Sequence, residues 1–523
     1  MGILISLPLF AIAVLVILAT RCRVAKKPNM LPSPPKLPIL GNLHQLGSSL
    51  FHRSLQALSN QRGPLMLLQL GSIPAVIVSS AEMAEEVLKS HDVSFAGRPL
   101  PLSKAARDIV YGCNDVAFAP YGDYWRYSRK IFITQLLSPK RVKSFANVRE
   151  EEVGILMKEI STSCSSSSVI NLTEMLLALT CDIISRIALG RKYSELLGIA
   201  KEMEAVMGSL SVGNFVPWLR WMDTINGLDG RMKRFHGVLD SFLDQIISDR
   251  GNDDDDANLE ELQDFVDVLL DIQRNPMSGD RHLSLDNLKA LIAFNLTLSR
   301  WHQFNLSLSR VKESVPLSFY EDTFIAATGS TTVTMEWAMT ELMRNPPVMK
   351  KAQEEVRKTV GNKGKVEEAE LAQMNYLRMI IKEALRVHPP GPLLLPHEST
   401  ESSTIKGYHI PEKTMVLINA WAIARDPKSW ENPDAFMPER FINNPVDFTG
   451  QDYQFLPFGS GRRICPGIRF SMGIIELALA NLLYWFEWDL PAGENHKSLD
   501  MSESSGIVVQ KKFPLLLVPK NSL

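Results

Sequence analysis

The sequence predicts a mainly α-helical catalytic body with a small β part, preceded by an N-terminal transmembrane helix. Three observations carry this expectation. Apolar residues recur at helical spacing through most of the chain. Short β-type runs bounded by Gly and Pro stand near the start of the body and again near its end. The stretch from Gly2 to Thr20 carries no charge.

Residues 1–20 are read as a membrane anchor, because a bilayer core is crossed by roughly 20 apolar residues in a helix. Arg21, Arg23, Lys26 and Lys27 follow the apolar run instead of preceding it. That order favours an uncleaved anchor with the remaining chain in the cytosol. Residues 21–42 are basic and Pro-rich, and Pro32, Pro34, Pro35 and Pro38 hold an extended, stiff backbone suited to a spacer. Residues 43–523 show no composition break and are read as one catalytic domain. Its early strands are Leu65–Leu70 and 75–78. Helices are predicted over 81–90, 142–160, 172–189, 232–249, 261–273 and 347–359. The polar stretches 163–168 and 251–256 read as surface loops. Strands 414–418 and 513–518 flank an apolar helix over 468–484.

Composition excludes several function classes. Of 523 residues, 45% are hydrophobic and 22% charged, and the formal net charge is −2. Such a balance provides no basic stripe for nucleic acid. Cys22, Cys113, Cys164, Cys181 and Cys465 are scattered and odd in number, which argues against a disulfide framework.

The chemistry concentrates in "FLPFGSGRRICPG", residues 455–467, where Phe458, Gly461, Arg463, Cys465 and Gly467 stand at the spacing F-x-x-G-x-R-x-C-x-G. Glycines let a backbone approach a flat cofactor closely. Arg463 can pair with a carboxylate. Cys465 precedes an apolar helix, whose N-terminal N–H groups favour a thiolate. A thiolate beneath a flat macrocycle is how haem iron is ligated for O–O cleavage. Further upstream, "KEALR" supplies Glu383 and Arg386 on one helical face, "FMPERF" supplies Arg440, and "YWRYSRK" supplies Trp125 and Arg129 at i and i+4.

With these motifs the sequence resembles the cytochrome P-450 superfamily, closest to plant microsomal (A-type) members of the family-71 group. "PILGNLHQLG", "FAPYGDYWR", "EWAMTELMRNP" and "KKFPLLLVP" carry the closer likeness. The resemblance covers essentially the whole chain and implies the cytochrome P-450 fold with haem b, iron protoporphyrin IX. It implies that Cys465 is the axial ligand of the iron. Trp125, Arg129, Arg463 and His397, with Phe458, Gly461 and Gly467 in the surrounding loop, are implied in binding the cofactor. Position 397 usually holds Arg in these plant enzymes, and imidazole donates in its place with a pH-dependent charge. Glu383, Arg386 and Arg440 are implied as a buried structural network.

The family's oxygen-activating helix commonly reads A-G-x-D-T-[ST], and the matching stretch here is "AATGST". Gly329 falls where the acid belongs and Ser330 where the threonine belongs, with Thr331 following. Ser330 and Thr331 are the candidate catalytic hydroxyls, while Asp322, Thr328 or a water substitutes for the missing acid. In the family this helix is continuous, but here residues 293–321 intervene. They contain "FNLTLSR" and again "FNLSLSR", two repeats too short for a solenoid. The segment reads as translated intronic sequence or a recent insertion.

The resemblance implies a single-pass endoplasmic reticulum enzyme fed with electrons from NADPH by NADPH–cytochrome P-450 reductase. It would insert one oxygen atom of O2 into a small apolar plant secondary metabolite. The implied pocket draws on residues 98–118, 210–218, 326–330, 390–395 and 504–507. Two alternatives stand beside this: haem-dependent dehydration or rearrangement of the aldoxime type, and an inactive splice product.

Overall fold

The computed structural model describes residues 30–46, 50–99, 107, 111–165, 168–193, 215–251, 263–275, 283–296, 328–504, 506 and 508–522. The predicted anchor, the basic cluster that follows it and most of the predicted insertion lie outside the described residues.

The longer helices of the first half are α1 (Phe51–Arg62), α2 (Asp123–Ile131), α3 (Ala146–Cys164), α4 (Leu172–Leu189), α5 (Leu228–Gly251), α6 (Phe265–Arg274) and α7 (Leu285–Leu296). Those of the second half are α8 (Thr328–Arg344), α9 (Pro346–Val360), α10 (Asn375–Val387) and α11 (Ile468–Trp485). The strands are β1 (Leu65–Leu70), β2 (Ile73–Val78), β3 (Ile170–Asn171), β4 (His397–Glu398), β5 (Ser403–Ile405), β6 (Tyr408–Ile410), β7 (Met415–Ile418), β8 (Phe486–Asp489) and β9 (Leu516–Asn521).

Local chemistry explains the α4 boundaries. The Asn171 side chain accepts the Glu174 N–H at its start, and Gly190 ends it in the left-handed region. Between them Leu172, Leu176, Leu179, Ile183 and Ile187 recur at helical spacing and are buried. Burying each such side chain contributes about 1.5–3 kcal/mol. Helix α8 packs against α4, α10 and α11 and is buried nearly all round, as a central rod must be. Two of its buried polar groups find partners across the α4 interface. Thr332 donates to the Thr180 hydroxyl at 3.2 Å, and the Thr173 hydroxyl donates to Glu336 at 2.5 Å.

Three predicted helices differ in detail. The run over 142–160 breaks at Phe145, which leaves helical geometry to pack its ring against Phe265. The run over 81–90 is α-helical from Ala81 to Glu85 and widens into a π turn over Glu86–Ser90. The run over 261–273 begins only at Phe265, because Asp264 and Asp267 form a reciprocal capping box.

The largest sheet runs β1-β2-β7-β4. Strands β1 and β2 are antiparallel with Leu65 opposite Val78, β7 lies parallel to β2, and β4 runs antiparallel to β7. Smaller sheets are β3-β9-β8 and β5-β6. The described part of the Pro-rich stretch does not stand free as a spacer. Leu31 is buried, the Leu67 N–H donates to Pro32 O at 2.8 Å, and fully buried Asn42 donates to Pro35 O.

Helix α7 runs on to Leu296, and Ala293 is buried within the core. The predicted start of the insertion therefore falls inside a packed helix. Helix α11 is, among the described residues, the one long and apolar enough to cross a membrane, but 72% of it is buried as a core element.

Candidate active site

Between α4, α8, the start of α11 and the loop before it lies a cavity into which Cys465, Ser330 and Thr331 all reach. Its walls are largely apolar, with Phe132, Ile184, Ile187, Phe265, Leu394 and Val508 among them. The sequence reading anticipated some of this lining and not the rest. Segment 390–395 contributes Pro390, Gly391, Leu394 and Leu395 as predicted. The described part of 210–218 does not contribute. Phe215 and Val216 pack beneath the sheet, with the Ser72 N–H donating to Phe215 O, so this stretch supports β1 and β2. The C-terminal loop lines the cavity through Val508, one residue beyond the predicted window.

Cys465 stands immediately before α11. Its N–H donates to Phe458 O at 3.0 Å, and Phe458 itself lines the cavity with its ring edge-on to Phe448. Burial pushes the thiol up, against the Gly467 N–H and the Arg129 charge, which pull it down. The Gly467 N–H and the Arg129 charge favour the thiolate as expected from the helix N-terminus, while burial opposes it. Gly467 has an ordinary backbone, and its part is that N–H. Gly461 differs from expectation. Its φ is +68°, and a Cβ there would lie 2.5 Å from Leu88 O, so glycine serves a close loop–helix contact instead of cofactor approach.

Arg463, Arg129 and Arg98 converge on the cavity. Arg463 donates to Ala96 O at 2.8 Å and Ala119 O at 2.7 Å and stacks over Trp125. Arg129 donates to Ile464 O and lies on the same side of its helix as Trp125, whose indole N–H donates to Val116 O at 2.9 Å. Arg98 donates to Ala117 O at 2.9 Å and Pro396 O at 2.8 Å. Burial and neighbouring guanidiniums push Arg463 down to about 8 and, with partial relief from Asp115, Arg98 down to about 9. Burial lowers Arg129 as well. Asp115 is raised to about 6 by burial, and its Oδ2 is buried without a hydrogen-bond partner. The cluster therefore holds more buried positive charge than the nearby carboxylate balances. Two further carboxylates beside these arginines would restore the balance, so the residues present fit the propionates of haem.

His397 lines the same cavity, with one ring nitrogen already engaged by the backbone. Its Nδ1 lies 2.8 Å from Phe95 O, which makes Nδ1–H the donor and leaves Nε2 as an acceptor. Burial first, then the charges of Arg98 and Arg463, hold its pKa well below the usual range. A neutral imidazole in this tautomer has no second N–H for a carboxylate. Arg98, which the sequence reading did not single out, is the cation at this corner, and a lone Arg in a loop gives no local signal.

The predicted network closes. Arg386 donates twice to Glu383, at 2.8 and 2.9 Å, and Arg440 Nε donates to Glu383 at 2.9 Å. Both members of the first pair are fully buried, and Arg386 continues to Ala424 O and Pro433 O. On α8, Thr331 is 1% exposed with its hydroxyl unpartnered, while Thr334 donates to Ser330 O. Gly329 brings no side chain to this wall, and Asp322 lies outside the described residues.

A helical body with a cysteine thiol opening into a cavity ringed by arginines defines a haem-thiolate class of protein, and comparison with known proteins agrees. The family model for Cytochrome P450 matches residues 31–297 and 318–518, leaving out 298–317. The chain belongs to the cytochrome P-450 family. Within it the curated relatives place the chain in the plant family-71 group. Cytochrome P450 71A1 of Persea americana is 51% identical over 495 residues, covering 92% of each chain. Strychnine-11-hydroxylase of Strychnos nux-vomica is 45% identical over 93% of this chain and 90% of its own. A zebra fish cytochrome P-450 solved with progesterone shares the fold at a TM-score of 0.72 and 23% identity, over 90% of this chain and 99% of that one. The family is one of monooxygenases that carry haem.

Proposed function

We propose that this chain hydroxylates a small hydrophobic plant secondary metabolite at the cavity between Cys465 and α8. The substrate RH, O2, NADPH and a proton become ROH, NADP+ and water, with the electrons arriving through NADPH–cytochrome P-450 reductase. The single observation that carries this reading is the shared cavity, which joins a cysteine thiol, a ring of buried arginines and helix hydroxyls under apolar walls.

Haem, when bound, supplies the iron at which oxygen is activated. Cys465, once deprotonated, would ligate that iron, while Arg98, Arg129 and Arg463 would hold the propionates with Trp125 packed behind them. Apolar walls strip water from the substrate and orient it. The Ser330 and Thr331 hydroxyls hold protons beside the reacting atoms, and with glycine at 329 a water carries the proton that an acid would otherwise supply. The uncharged stretch to Thr20 and the basic cluster after it support a single-pass anchor in the endoplasmic reticulum, the catalytic body facing the cytosol.

Gly329 favours a second reading, dehydration or rearrangement of an aldoxime-type substrate without net oxygen insertion. The reduced, carbon-monoxide-bound absorbance spectrum and product formation with and without NADPH and O2 test both. The thiolate-ligated band with turnover that needs both NADPH and O2 is expected. Turnover without O2 identifies rearrangement, and absence of the band identifies an inactive product.

A further inference from the structure

The described ends of the stretch 503–511 pair with each other. Glu503 and Lys511 form an isolated antiparallel bridge, and the Ser504 N–H donates to Gln510 O at 2.8 Å. Near its far end Val508 lines the cavity, and the Val509 N–H donates to Pro390 O at 2.8 Å. At the base, the Glu503 side chain is 3% exposed. Its Oε2 accepts two bonds from Arg53, at 2.9 and 3.2 Å, and lies 3.4 Å from His52 Nε2. Both partners sit in the first turn of α1, far away in the sequence. Arg53 also covers one aromatic neighbour, Trp421, at 5.2 Å, while Arg425 lies 4.2 Å from the same ring.

A carboxylate is costly to bury, so its place here needs a compensating gain. Burial alone would raise the Glu503 carboxyl, but His52 and Arg53 hold it below its usual value. The far end of the turn is tied to the body by the Trp337 indole N–H, which donates to Val509 O at 3.4 Å, and by Lys511 over the Trp337 ring at 5.1 Å, so Glu503 is the charged tie at the opposite end.

We propose that Glu503 is a positioning residue for the substrate cavity: anchored to Arg53 and His52 of α1, it fixes the turn that presents Val508 to the substrate. The proposal rests on the reading of this cavity as the haem and substrate site. Glu503 touches neither substrate nor cofactor and acts through Val508.

The test uses the full-length, haem-loaded protein and n-alkylamines from butylamine to octylamine, read by the shift of the haem absorbance band. The amine nitrogen reports the iron and the chain length reports the cavity wall. In Glu503→Gln, octylamine is expected to bind about fivefold more weakly while butylamine changes less than about twofold, because only the longer chain meets the displaced wall. Val508→Ala should show the same dependence on chain length. Arg53→Gln, on a half-exposed side chain that folding tolerates, should show it more weakly, and the double variant should be no worse than Glu503→Gln. Hydrogen exchange at the Ser504 and Val509 amides should speed up about tenfold in Glu503→Gln with the rest of the chain unchanged, a readout that does not need haem. Equal weakening of all amines, or unchanged affinities and exchange, would overturn the proposal and leave Glu503 a structural residue. A missing thiolate band in the unsubstituted protein would instead defeat the haem reading, and the exchange measurement would still decide the anchor.

Discussion

Glu383 carries its charge with no exposure to water because two guanidiniums and the Met437 N–H meet it. Replacing it by Gln leaves Arg386 and Arg440 facing a neutral group in the interior. Glu383→Gln is expected to cost about 3–5 kcal/mol in stability, measured by denaturant unfolding, since a broken buried pair strands a charge. His397 makes a pH prediction. Its folded pKa lies below the unfolded value, so the unfolded chain takes up a proton that the folded chain refuses. The stability it contributes is complete above about pH 6.5 and falls by up to about 1.4 kcal/mol per unit as pH drops below that. His397→Gln lacks this loss, so the stability difference between the two proteins should shift against the histidine form between pH 6.5 and 5. A difference independent of pH would refute the assignment of a neutral imidazole.

At the scale of elements, two glycines make opposite predictions. Gly461 has φ +68° with Leu88 O and Asp92 at the place of a Cβ, so Gly461→Ala should destabilise the loop before Cys465 by about 1–3 kcal/mol and reduce haem content. Gly329 is the second residue of α8, where Ala is better than Gly by no more than the ~0.5–1 kcal/mol of a helix interior. Gly329→Ala should therefore raise the thermal midpoint slightly, while Gly329→Asp should raise the fraction of NADPH converted to product by restoring an acid. No change in that fraction on adding the acid would mean that proton delivery does not run past position 329. The elements were legible to different degrees. Residues 455–467 could be read because every group that makes the cysteine loop lies within one short stretch. Arg98 and Glu503 could not be, because their meaning comes from partners such as Pro396 and Arg53 that the chain brings back from far away.

The whole molecule turns on α7 and α8, which flank the segment that the family model leaves out. Ala293 is buried in the core, so the packed helix extends past the boundary drawn from sequence, and 298–317 is the better piece to remove. Deleting 298–317 is expected to raise the yield of haem-loaded protein, measured by the carbon-monoxide spectrum per unit of protein. Equal yields would show that the segment is tolerated, since flexible insertions cost little by length alone.

Local order along the chain was enough to determine the helical class, the cysteine loop, the Glu383–Arg386–Arg440 network and the family, because each rests on residues a few positions apart or on short motifs that stand alone. Tertiary structure decided which cation takes the corner beside His397, why Gly461 must be glycine, where the 210–218 stretch packs and what holds the turn that carries Val508. Those depend on burial and on contacts between distant segments. Spacing in a sequence reports neighbours along the chain. The cost of removing a charge from water is set only when the whole chain has closed around it.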